Sequence, residues 1–133
     1  MARLLIVHHT PSPACHTLLE AVRSGATDPQ ITGVEVVVRP ALSATATDVL
    51  EADGYLLGTP ANLGYISGAL KHFFDQVYYP CLDATVGRPF GAWAAFHRNP
   101  VVMTSSARSA PVASLWPWIQ APKGRPTVAS RHG

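Results

Sequence analysis

The stretch Gly54-Tyr-Leu-Leu-Gly58-Thr-Pro-Ala-Asn-Leu-Gly64-Tyr-Ile-Ser-Gly68-Ala-Leu-Lys71-His-Phe-Phe-Asp75 leaves few options for the fold. It starts as a short apolar run and passes through a loop rich in Gly, Pro and Asn. It then places Ile66, Ala69, Leu70, Phe73, Phe74 and Val77 at i, i+3, i+4, i+7, i+8 and i+11. That spacing lays one apolar stripe along a helix. A strand, a loop that needs unusual backbone angles and a core-facing helix together make the layout of a ligand loop at the carboxyl end of a parallel sheet.

The preceding residues repeat the pattern. Arg3-Leu-Leu-Ile-Val-His8 is a continuous apolar run, as expected of a strand buried on both faces of a parallel sheet. After it, in His9-Thr10-Pro11-Ser12-Pro13-Ala14-Cys15, Ser12 suits a helix N-cap and Pro13 the first helical position. Cys15, Leu18, Leu19 and Val22 continue as a helical stripe, with Gly25 read as its stop. The unpaired N–H groups and positive dipole end of such a helix attract a phosphate. The bland reading of the same residues is an ordinary turn with a capped helix.

Gly33–Arg39 reads as a second strand ended by Pro40, residues 44–52 as a short helix, and Tyr55–Leu57 as the third strand. Asp48, Glu51 and Asp53 read as solvated. Tyr78–Asp83 reads as a loop and Gly87–Phe96 as a fourth strand, with Trp93 in the core rather than on a ligand. Tyr78 and Tyr79 fit packing and ligand contact equally well. Strands alternating with helices predict an α/β doubly wound parallel sheet.

Composition bounds the function classes. At 133 residues, 47% hydrophobic and 14% charged, the chain suits one buried α/β domain. Cys15 and Cys81 have no zinc or C-x-x-C spacing and fit a reducing, cytoplasmic location. Leu4–Val7 is too short for a membrane span or a signal-peptide core. No G-x-G-x-x-G or G-x-x-x-x-G-K-[ST] occurs, which argues against a Rossmann dinucleotide site or a nucleotide P-loop. Cys15 lacks the downstream Arg of a cysteine phosphatase, and His8 and His9 read as partly packed.

Charge is divided unevenly. Residues 1–83 hold all eight acids and four Lys/Arg, whereas residues 84–133 hold six Lys/Arg and no acid. Those six positive charges are spread too thinly to make a nucleic-acid patch.

The pattern G-T-P-x-x-x-G-x-x-x-G-x-L-K-x-F-x-D resembles the flavin loop of the flavodoxin-like NAD(P)H:quinone and FMN reductases. The G-R-P lead-in at Gly87–Pro89 is similar to that family's G-K-P. The first loop stands where the family has T/S-x-T/S-G-x-T: Thr10 and Ser12 match the hydroxyls, Pro13 replaces the Gly, and Cys15 replaces the last Thr. Pro13 removes one N–H donor, and a thiol donates weakly.

The resemblance implies a flavodoxin-like sheet of order 2-1-3-4-5 and FMN as cofactor. It implies electron transfer from NAD(P)H to a quinone or similar small acceptor, with self-association open. It places the phosphate on Thr10, Ser12 and the N–H groups of Ala14 and Cys15. It places the ring on Thr59, Pro60, Ala61, Asn62, Leu63, Gly64 and Tyr65, with Gly64 at positive φ or in close approach. No side chain is implied as an acid, base or metal ligand, because the flavin carries the chemistry.

The resemblance covers about 90 of the 133 residues. The expected division is therefore a flavodoxin-like domain over 1–96 and an atypical basic, Pro-rich and poorly ordered tail over 97–133. Six of the twelve prolines lie between Pro89 and Pro126, which excludes a long helix there. Val101–Thr104 is left as a candidate edge strand, the sheet otherwise being incomplete at strand five with strand four an unpaired edge. A competing reading is a truncated or frame-altered flavodoxin-like domain without enzymatic activity.

Overall fold

The computed structural model describes residues 1–63 and 65–95 and the backbone of strand 100–103. Its elements are β1 (Ala2–His8), α1 (Pro13–Ala26), β2 (Val34–Pro40), α2 (Ala46–Glu51), β3 (Gly54–Pro60), α3 (Gly68–Val77), β4 (Phe90–Ala95) and β5 (Pro100–Met103). The strands form one sheet of order β2-β1-β3-β4-β5. The first four are parallel, with His8 opposite Pro40 on one side and Gly58 on the other.

Side-chain alternation along the strands builds two cores. Leu5, Val7, Tyr55, Leu57 and Phe90 face α2 and α3, where Val49, Leu70, Phe73, Phe74 and Val77 are buried against them. Ile6 and Trp93 lie on the opposite face and pack with Leu19, flanked by Leu18 and Val22 of α1. From Leu70 on, the stripe read from the sequence is the buried face of α3, while Ile66 precedes the helix; Trp93 is a core residue at 5% exposure.

Trp93 fits only because its neighbour on β3 is a glycine. Gly58 and Trp93 are register partners, and a Cβ at Gly58 would stand 2.0 Å from the indole Cζ2. The indole thus lies directly over the bare β3 backbone.

Three details differ from the sequence reading. Gly25 does not stop α1, which runs to Ala26 and ends where the Thr27 N–H donates to the Arg23 and Gly25 carbonyls. Glu51 and Asp53 are exposed as read, but the acids near α2 are also paired: Asp48 closes a capping box with Thr45 and pairs with Arg39, Glu51 pairs with Arg3, and Asp53 accepts the Arg3 backbone N–H. The third difference is at the sheet edge. The candidate edge strand read at Val101–Thr104 is present one residue earlier, Pro100–Met103 pairing with Ala92–Ala95 in antiparallel sense, so β4 is not an unpaired edge. The expected tail over 97–133 otherwise lies outside the described residues.

Arg88 ties the end of α2 to β3. Its Nη1 lies 2.9–3.2 Å from the carbonyls of Val49, Leu50 and Ala52 and from the Tyr55 hydroxyl, which itself donates to the Val49 carbonyl at 2.6 Å. The last carbonyls of a helix lack intrahelical partners, and a cation complements their negative end. The Arg of the G-R-P lead-in therefore closes the end of α2.

Candidate functional site

β1 and β3 are adjacent and parallel, and the chain leaves them in opposite directions, to α1 on one face and α3 on the other. Their carboxyl ends meet: the His9 N–H donates to the Gly58 carbonyl at 3.0 Å. Ligands of open α/β sheets bind at such a reversal of strand order. The structure accordingly brings both predicted loops, 9–15 and 59–65, to one end of the sheet. Tyr78 and Tyr79 follow the far end of α3, where their rings meet edge-on with centroids 5.0 Å apart.

In the first loop, Ser12 is the N-cap of α1. Its Oγ accepts the Cys15 N–H at 3.3 Å, and its carbonyl accepts the His16 N–H at 3.0 Å. Accepting leaves the Ser12 hydroxyl proton available to a ligand. Ser12 and Ala14 are exposed, Cys15 is buried, and the first turn of α1 carries no acid. Cys15 thus offers neither its thiol nor its N–H outward. Thr10 is held by His8, whose Nδ1 lies 2.7 Å from Thr10 Oγ1. Burial, and after it the charge of His9, lowers the His8 pKa below its ordinary value.

In the second loop the polar groups are engaged internally. Thr59 is buried, and its hydroxyl donates to the Pro60 carbonyl at 2.8 Å while accepting the Ser67 N–H at 2.9 Å. Ser67 in turn caps α3, its Oγ accepting the Leu70 N–H at 3.2 Å. The Ala61 N–H donates to the Ala95 carbonyl, and Asn62 and Tyr65 exchange backbone hydrogen bonds of 2.8 and 2.9 Å. Leu63 stands at the tip with φ 52° and 98% exposure. Gly64, for which positive φ or close approach was expected, lies outside the described residues.

The sequence reading gives His8 and Ser67 no loop-organising role. Ser67 carried a signal, since it stands directly before the α3 stripe in the N-cap position. His8 carried none, because the hydrogen bond to Thr10 depends on the turn that follows β1.

Among the described residues no group of three or more His, Cys, Asp or Glu could hold a metal ion, and no helix is long and apolar enough to cross a membrane.

Comparison with known proteins agrees with this geometry. No family model matches the chain. A flavodoxin of Aquifex aeolicus (strain VF5) is 36% identical over 77 residues, which is 58% of this chain and 40% of that protein. An archaeal flavodoxin structure superposes with a TM-score of 0.59 at 17% identity, over 74% of this chain and 65% of the other. A flavodoxin, WrbA-like protein from Agrobacterium tumefaciens gives 0.56 at 22% identity, over 72% and 60%. An NADPH-quinone reductase from P. pentosaceus gives 0.53 at 19% identity, over 74% and 62%. The chain thus spans about two-fifths of the curated flavodoxin and somewhat under two-thirds of these solved chains. At such identities the structural likeness carries the fold, which is flavodoxin-like.

Proposed function

We propose that this flavodoxin-like chain binds FMN across the β1–α1 and β3–α3 loops and passes electrons from NAD(P)H to a quinone or similar small acceptor. The observation that carries this reading is the convergence of the two loops, joined through the His9–Gly58 hydrogen bond, at the reversal of strand order. The flavodoxin and NADPH-quinone reductase likenesses support the cofactor and the reaction class. A reducing, cytoplasmic setting suits the two buried free thiols.

The residues fit the phosphate end well. Thr10 and Ser12 supply hydroxyls, Ala14 an N–H in the first turn of α1, and that turn has no acid to repel an anion. At the ring end, the exposed Leu63 and Tyr65 provide apolar cover, whereas Pro60 is buried. The donors of Ala61, Asn62 and Tyr65 are held within the protein. The Asn62–Tyr65 pair would have to open for those N–H groups to reach a ring edge, and Thr59 acts by holding the loop rather than by touching it.

When bound, FMN supplies the hydride and electron chemistry. The protein's part is to anchor the phosphate, orient the ring against the loop, and exclude water with the apolar side chains. The proposed activity is tested by anaerobic oxidation of NADH or NADPH with a benzoquinone as acceptor. Quinone reduction above the rate of free FMN is expected, and a rate equal to free FMN refutes the oxidoreductase reading.

One observation favours a second reading, an FMN-binding domain without enzymatic activity. The doubly wound parallel sheet that the resemblance implies calls for a crossover helix and a parallel strand after β4. Here residues 96–99 alone separate β4 from an antiparallel β5, too few for a crossover helix. Saturable FMN binding without quinone reduction would select this reading.

A further inference from the structure

We infer that His8 and Thr10 form a proton-linked pair that sets how tightly the β1–α1 loop holds a phosphate monoester, an inference that rests on the FMN reading above. The observation is the 2.7 Å contact between His8 Nδ1 and the hydroxyl of Thr10. Thr10 has a single hydroxyl proton, so the direction of this hydrogen bond decides what the residue shows to a ligand.

With Nδ1 unprotonated, Thr10 donates to the ring and turns only lone pairs outward, an arrangement that repels an anion. With Nδ1 protonated, the ring donates to Oγ1 and the hydroxyl proton is released to the outside. A neutral imidazole allows both arrangements, whereas an imidazolium allows only the second and adds a positive charge. Binding a phosphate therefore favours proton uptake at His8, and proton uptake favours the phosphate.

Among the described residues, nothing facing His8 would swamp this coupling. His8 faces Pro40 on β2 and Gly58 on β3, neither of which titrates. On β2 the adjacent Arg39 is paired with Asp48 at 3.5 Å. α1, packed on the same face, carries Cys15 and His16 in its first turn and no acid there. The neighbouring charge on its own segment is His9, which together with burial favours the neutral ring in the ligand-free protein. Pro13 strengthens the case, because it lacks an N–H donor where the family loop has one, and the loop then depends more on its hydroxyl donors.

The test is an NMR titration of the His8 ring in the full chain, free, with saturating riboflavin and with saturating FMN. FMN should raise the His8 pKa by at least one unit over riboflavin, which corresponds to a tenfold change in affinity between the two protonation states. In parallel, flavin fluorescence titrations compare the parent with His8→Gln and Thr10→Val at pH 8 and pH 6. The second ionisation of a phosphate monoester, near pH 6, is common to all three proteins and cancels. The preference for FMN over riboflavin should rise in the parent relative to each variant as the pH falls. An unmoved His8 pKa with FMN bound overturns the proton-linked pair and leaves the FMN reading standing. The absence of any preference for FMN over riboflavin at either pH overturns both.

Discussion

The hydroxyl of Thr59 accepts the backbone N–H of Ser67 at 2.9 Å, eight residues further along the chain and across the loop that leads into α3. Both residues are buried, and the same hydroxyl donates to the Pro60 carbonyl. One side chain thus closes the loop at its base and fixes where the Ser67 cap starts the helix. A hydrogen bond at that position shapes the loop without touching whatever the loop holds.

Replacing Thr59 with Val keeps the shape and removes the acceptor, leaving the Ser67 N–H buried without a partner. A buried unsatisfied donor costs about 1–3 kcal/mol. Urea denaturation should show Thr59→Val destabilised by that order and Thr59→Ser much less so. Equal stability of Val and Ser at this position would remove the staple from the account.

Gly58 tests the packing of Trp93. Adding a methyl group where the indole Cζ2 lies 2.0 Å away forces the ring or the strand to move. Overpacking of this kind costs about 1–3 kcal/mol. Gly58→Ala should lower the thermal midpoint and expose Trp93 to solvent, seen as a red-shifted emission. In the Trp93→Leu background the same change should cost less, since the two sites are in contact.

Arg88→Met keeps much of the aliphatic stem but loses the cation at the end of α2. Hydrogen bonds from a charged group are worth roughly 1.5–3 kcal/mol, and a loss in that range is expected. Hydrogen exchange should accelerate first in residues 46–55, before the rest of the sheet. Uniform acceleration would mean that Arg88 does not secure α2 in particular.

Stability should fall off on both sides of neutral pH. Burial first and His9 second hold His8 below its ordinary 6.5, so the unfolded chain takes up a proton there before the folded one does. The stability His8 contributes is present above 6.5 and is lost as the pH falls through its lowered folded value. On the alkaline side, burial holds Cys81 above 9.0 and Tyr55 above 10.0. The unfolded chain ionises first, so stability declines as the pH rises past those values. Denaturant midpoints measured from about pH 5 to about pH 11 should trace this dome. His8→Gln should flatten the acid limb and Cys81→Ala part of the alkaline one, and unchanged limbs would contradict the assignment.

Much of the fold could be read from residue patterns whose cause is local. The Leu70, Phe73, Phe74 and Val77 stripe is a periodicity, and Ser12 followed by Pro13 is a cap with its own chemistry, so both survive without tertiary context. Thr45 and Asp48 form a capping box at a spacing that was also open to reading, although Asp48 looked like a surface charge. The antiparallel pairing of β5 was not legible, because strand direction is set by the length of a connection and the partner it finds. In the site, the convergence of two loops followed from topology alone. The engagement of Thr59, Ala61, Asn62 and Tyr65 within the protein did not, because a hydroxyl or N–H in a sequence gives no sign of where its partner lies.

The phosphate anchor is the most exposed claim, and Ser12 and the flavin test it together. Ser12→Ala should cost about 1 kcal/mol in stability from loss of the cap. It should also reduce the preference for FMN over riboflavin, because the cap oxygen still has a proton to donate. The most direct measurement is fluorescence titration of the purified parent protein with FMN and with riboflavin side by side. The account predicts saturable binding with FMN held more tightly than riboflavin. Absence of saturable FMN binding, or equal affinity for the two flavins, would contradict it.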